Sequence, residues 1–127
     1  MRTMTWTVII SLALVAALGA GCGAYSRRVS EEFQMETERI LAALAAGDWE
    51  DALARTRLLD RAWTEKNDLL SLFVNHPDLE AVSLCLRRLR LAVEEKQRYW
   101  AMEAAHEMRE ALELIYFRDA LSLKNIL

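Results

Sequence analysis

The chain has 127 residues, 54% hydrophobic and 28% charged, with a formal net charge of -3. That length holds one domain once an amino-terminal apolar segment is set aside, and the composition excludes a disordered chain. The mildly acidic, mixed-sign balance argues against nucleic-acid binding, where a basic face is expected.

Charge is partitioned sharply along the sequence. Before Ser26 the single charged side chain is Arg2; all nineteen acidic residues and the other fifteen basic ones follow. Residues 4–25 read MTWTVIISLALVAALGAGCGAY, apolar but for a few hydroxyls that can bond the helix backbone. As a helix this stretch is about 33 Å long, close to the hydrocarbon thickness of a bilayer. Trp6 and Tyr25 sit near its ends, where amphipathic aromatics favour the interface.

Three readings compete for it. A retained signal anchor comes first. A lipoprotein signal acylated at Cys22 comes second: Ala20-Gly21-Cys22 fits such a signal, but Gly19 stands where Leu is usual. A secretory signal cleaved near residues 20–24 comes third. The first two leave the tail on a membrane. Arg2 draws one end of the stretch inward and Arg27 and Arg28 draw the other, so charge does not orient it. Its likeness to an export signal favours an extracytoplasmic tail. The expected organisation is an anchor over residues 1–25 and a helical domain over 26–127.

From Ser26 the pattern is amphipathic. Val29, Phe33, Thr37, Ile40 and Leu44 are spaced by three or four, with Ser30, Glu31, Glu32, Glu36 and Glu38 largely off that stripe. Gly47 should end this helix in a left-handed cap, and Asp48 should start the next, with Asp51 three residues on. Trp49, Ala52, Thr56, Leu59, Trp63, Leu70 and Phe73 mark the core face of a second helix running towards Asn75, with Lys66 interrupting it. His76-Pro77 ends it, the proline pushing His76 out of the helical region.

The third helix carries a strict stripe of Leu79, Val82, Leu86, Leu89 and Val93. Continued, that register would bury Lys96, Glu103, Glu107 and Glu110. A new stripe, Ala101, Ala104, Met108, Ala111, Leu112 and Ile115, starts out of step instead. This predicts a turn or kink within residues 94–99 although no Gly or Pro is there, with one continuous long helix as the alternative. The fourth helix should reach about Leu121, leaving a short tail. With Pro used once and Gly scarce beyond the anchor, strands joined by tight turns are unfavoured. The fold class is therefore all-α: an N-terminal transmembrane helix followed by a small antiparallel four-helix bundle of two hairpins.

Chemistry is thin by comparison. His76, Asp78 and Glu80 form the best polar cluster, a candidate weak metal or proton site that His106 of the last helix could complete. The bland alternative is that His76 and Asp78 suit the dipoles of the two helix ends between them. Glu103-Ala104-Ala105-His106 matches one Glu-x-x-His pair of di-iron bundles but has no second pair. Arg87, Arg88 and Arg90 could touch anionic lipid headgroups if the domain lay down on a membrane, but Glu94 and Glu95 follow directly, which favours a salt-bridged face. Cys22 and Cys85 read as unrelated thiols. No glycine-rich phosphate loop, Cys-x-x-Cys or nucleophile elbow occurs. The expectation is a non-enzymatic module with no cofactor and no small-molecule substrate, held at the membrane and binding a protein partner.

One combination of features resembles a known family. An N-terminal membrane segment precedes Gly47-Asp48-Trp49, then Trp63 ahead of Leu70 and Phe73, then His76 with an acidic residue close behind, and a close on Ser122-Leu123-Lys124-Asn125-Ile126-Leu127. This is similar to the bacterial family catalogued as domain of unknown function 4363, common in spore-forming Firmicutes. Pro77 departs from its pattern. The resemblance implies a membrane location and a helical bundle, and it implies no catalytic residue.

Overall fold

The computed structural model describes residues 2–72 and 74–126, with side chains described as far as Ile115. Four helices follow one another: α1 (Arg2–Ala46), α2 (Trp49–Leu70), α3 (His76–Glu94) and α4 (Arg98–Ile126). The expected anchor and first bundle helix are one element. No proline or left-handed residue interrupts α1, so the apolar stretch runs unbroken into the amphipathic one.

The two parts of α1 differ in what surrounds them. Val8, Ile9, Ile10, Leu12, Leu14, Val15 and Leu18 are all at least half exposed and point in every direction around the helix. A helix apolar all round belongs in a lipid or core environment, and here no core covers it. It is the one described helix long and apolar enough to cross a membrane. Below it Val29, Phe33, Thr37, Ile40 and Leu44 are buried, as the spacing predicts.

The helices pack as a ring: α1 against α2 and α4, and α3 against α2 and α4. Each connection is short, so sequence neighbours lie antiparallel. The core stripes of α3 and α4 are buried at every predicted position, joined by Cys85, Ala92 and Ala105. On α2, Ala52, Thr56, Leu59, Trp63 and Leu70 are buried, while Trp49 is half-buried against the core. Thr37 and Thr56 are fully buried, and each donates its hydroxyl to the carbonyl four residues back, Phe33 and Ala52, at 2.7 Å. This answers the cost of placing a hydroxyl in a core. Trp63 donates Nε1–H to Ser83 Oγ at 2.8 Å and meets Phe33 edge-on, with ring centroids 5.5 Å apart.

Several local readings need correction. Ser30 lies in the core, where its hydroxyl donates to the Leu112 carbonyl at 2.7 Å and accepts from Gln34 Nε2. A small hydroxyl there lets α1 and α4 approach closely. Helix α2 stops at Leu70 and not near Asn75, and α4 continues to Ile126, beyond Leu121. Asn75, not His76, is the extended residue before α3, with ψ 131. Pro77 then falls in the first turn, where no earlier carbonyl opposes its ring. Phe73 and Leu127 lie outside the described residues.

Both outer turns use the same hydrogen-bond pattern. At the end of α1, Asp48 N–H donates to Ala43 O (2.9 Å) and Gly47 N–H to Leu44 O (3.1 Å), with Gly47 at φ 73. At the end of α3, Gln97 N–H donates to Ala92 O (2.8 Å) and Lys96 N–H to Val93 O (3.1 Å), with Lys96 at φ 53. Each is a Schellman motif. The turn predicted within 94–99 is therefore real, and a lysine occupies its left-handed position. Asp48 caps α2 as expected, its Oδ1 accepting from Asp51 N–H at 3.1 Å.

Candidate functional site

The polar cluster at the start of α3 divides into an exposed pair and one buried carboxylate. His76 Nε2 lies 3.1 Å from Glu80 Oε1, one helical turn along, and both side chains are more than two-thirds exposed. An exposed pair at this spacing contributes a few tenths of a kcal/mol when charged. Asp78 is buried at the amino end of α3, where its carboxylate suits the helix dipole.

His106 is not brought to this cluster. It lies on the exposed side of α4. Its neighbour Glu107 faces Arg88 of α3, with 3.4 Å between Oε2 and Nη1. His76 is twelve residues before Arg88 on α3, about 18 Å along the axis by helical rise. The structure thus joins His76 to Glu80 and separates both from His106. Among the described residues no group of three His, Cys, Asp or Glu side chains could hold a metal.

Two residues of the basic run on α3, Arg88 and Arg90, form cross-helix ion pairs. Arg88 meets Glu107 of α4, while Arg90 meets Asp60 of α2 at 3.1 Å and Glu94 at 4.0 Å. Cys22 lies half-buried within the continuous α1, and Cys85 is buried in the core. Burial pushes the Cys85 thiol above its ordinary pKa, and Glu107 adds to this against the opposing charge of Arg88. Both cysteines are free thiols.

What the surface does offer is grooves. The largest described runs between α1 and α2, about 590 Å³. Phe33, Leu59 and Ala62 form its floor and Met35 and Leu58 its apolar walls, with Glu32, Glu36, Arg39 and Lys66 at the rim. Met35 is 55% and Leu58 62% exposed. A smaller groove of about 310 Å³ lies between α3 and α4, lined by Leu91, Trp100 and Ala104 among charged groups. Trp100 packs edge-on against Tyr99, and both are largely exposed.

Periodicity could not reveal these features, because Met35, Leu58 and Leu91 lie off the core stripes. The signal present was an apolar residue on a polar face. Arg98 was also missed. It opens α4 and reaches back to α1, donating from Nε to Leu44 O at 2.9 Å and from Nη2 to Ala45 O at 3.0 Å. A cation in the first turn of a helix opposes that helix's own dipole. This unfavourable position was the clue that it serves another helix end.

Comparison with known proteins gives a family and nothing finer. The family model of a domain of unknown function, DUF4363, matches residues 24–126. No curated protein and no solved structure matches the chain. The match takes in the lower half of α1 and all of α2, α3 and α4, and on that basis the chain belongs to the family of domain of unknown function 4363.

Proposed function

We propose that this is a single-pass membrane protein whose helical domain, on the extracytoplasmic side, binds a helix of a protein partner and performs no chemistry of its own. The observation that carries the binding role is the α1–α2 groove. Two helices supply its walls, its floor is apolar, and charges of both signs line its rim. That chemistry suits an amphipathic helix laid into the groove by its apolar face. Support for the anchor comes from the all-round exposure of the apolar part of α1.

The test is photo-crosslinking in the native membrane, with a photoreactive residue at Met35 or Leu58 of the full chain. Defined crosslinks to a membrane protein are expected, and Leu58→Glu should abolish those formed from Met35. A reporter at exposed Glu50 serves as the control. Equal yields at all three positions would remove the groove from the account. Mass spectrometry of the mature chain should find residues 4–25 retained, whereas a diacylglyceryl Cys22 would replace the span with a lipid anchor.

A further inference from the structure

The register of α1 against α2 fixes which end of the bundle lies nearest the apolar segment. Glu36 of α1 faces Arg55 of α2 at 3.8 Å. Phe33 meets Trp63, and the Lys66 ammonium sits 5.7 Å from the centroid of the Tyr25 ring. Residue numbers rise on one helix as they fall on the other, so the carboxyl end of α2 points back along α1 towards its amino terminus. Beyond Lys66, α2 continues to Leu70. Those four further residues carry it about 6 Å past the level of Tyr25. The turn into α3 therefore stands beside the last residues of the apolar stretch.

The side chains there match this position. Leu69 is 48% exposed and Leu72, in the turn itself, 77% exposed. Both are apolar and neither joins the core. The charged groups around them are of both signs and balance: Arg27 and Arg28 on α1, Glu65, Lys66 and Asp68 on α2, and Glu80 at the start of α3, all outside the core. Net charge therefore gives no preference for an anionic surface, and apolar insertion is the attraction that remains.

We infer that the α2–α3 turn lies in the lipid interface, with Leu69 and Leu72 inserted at headgroup depth beside the emerging α1. This rests on α1 being a membrane span. The bundle then touches the bilayer at the α2–α3 turn as well as at the emerging α1, and the exposed leucines are covered by lipid and not by a partner protein. Interfacial insertion of a few apolar side chains is weak alone. Beside a span it needs no independent affinity, because α1 already holds the turn at the surface.

The experiment uses the full chain with Cys22→Ala, leaving buried Cys85, and one added cysteine carrying a nitroxide. The added positions are Leu72→Cys, Leu69→Cys, Ile10→Cys within the span and Glu50→Cys at the far end. Each protein is reconstituted into palmitoyl-oleoyl phosphatidylcholine vesicles, and collisions with oxygen and with a water-soluble nickel chelate are compared. The oxygen-to-nickel ratio at Leu72 and Leu69 should be several-fold above that at Glu50 and below that at Ile10. A lipid-like Ile10 with Leu72 and Leu69 no different from Glu50 overturns this inference and leaves the span intact. A water-like Ile10 overturns both. All four positions are exposed, so folding should survive every substitution, and near-ultraviolet circular dichroism checks it.

Discussion

Lys96→Gly should make the protein more stable. Lys96 closes α3 at φ 53, the conformation that Gly47 supplies at the end of α1. A side chain in the left-handed region costs about 1–2 kcal/mol. Replacement by glycine returns about 0.4–1 kcal/mol of that through the freer unfolded chain. The net expectation is a gain of about 0.5–1 kcal/mol. In a domain of this size about 1 kcal/mol moves the melting midpoint by roughly 4–8 °C. The mirror-image change, Gly47→Ala, should cost a similar amount. The added Cβ would lie 3.4 Å from Arg98 Nη2, an ordinary contact, so the backbone conformation alone carries the cost. Thermal unfolding of the full chain in detergent, followed by near-ultraviolet circular dichroism from the buried Trp63, reads both variants. A Lys96→Gly midpoint at or below the parent's would mean that the lysine stem contributes more than its strain costs, and the reasoning would be wrong.

Other outcomes follow from single contacts. Arg98→Ala should lower stability by about 1.5–3 kcal/mol, because it removes a charged double cap from Leu44 O and Ala45 O; Arg98→Lys should recover only part, since an ammonium cannot reproduce the fork. Ser30→Ala should cost about 0.5–1.5 kcal/mol in urea unfolding, having lost the bond to Leu112 O. Trp63→Phe removes the donor to Ser83 and should cost about 1–3 kcal/mol, read from the shift in urea midpoint at unchanged slope. For Cys85 the sign runs through the unfolded state. The folded thiol titrates higher than the free one, so the unfolded chain loses its proton first and stability falls as pH rises through the ordinary thiol range of about 8.5. Cys85→Ala should flatten that alkaline slope, and a slope unchanged by the substitution would show that other groups set it.

Most of the fold was readable because its determinants are local. The spacing of Leu79 through Val93, and the phase jump before Ala101, needed only the helical period, and the jump exposed a turn that composition hid. The cap at Gly47-Asp48 was readable because its residue types are specific to that geometry. Ser30 was misplaced because a serine carries no apolar signal. Its burial depends on a carbonyl 82 positions away in sequence, at Leu112. Arg98 was invisible for the same reason, its partners being carbonyls of another helix. The candidate site was read less well. Spacing could place His76 beside Glu80, but only the register of α3 on α4 separates them from His106.

The continuity of α1 changes what the anchor does. An anchor joined by a flexible linker holds a domain near a membrane and leaves its orientation free. Here the helix is 45 residues long with no break between the apolar segment and the first core residues. The face that carries Val29, Phe33 and Ile40 is locked in rotation to the faces of the span above it, because both belong to one hydrogen-bonded helix. On the reading of α1 as a span, tilt and rotation of that span set the tilt and rotation of the bundle. The α1–α2 groove then opens in a fixed direction relative to the bilayer, with Met35 about 15 Å along the helix from Tyr25. A partner helix seated there would have to rise from the same membrane or lie within reach of its surface. The placement of Leu69 and Leu72 follows from the same rigidity. α2 is packed against α1 by Trp63 and Phe33, so its far end cannot withdraw from the level of the span without breaking the core.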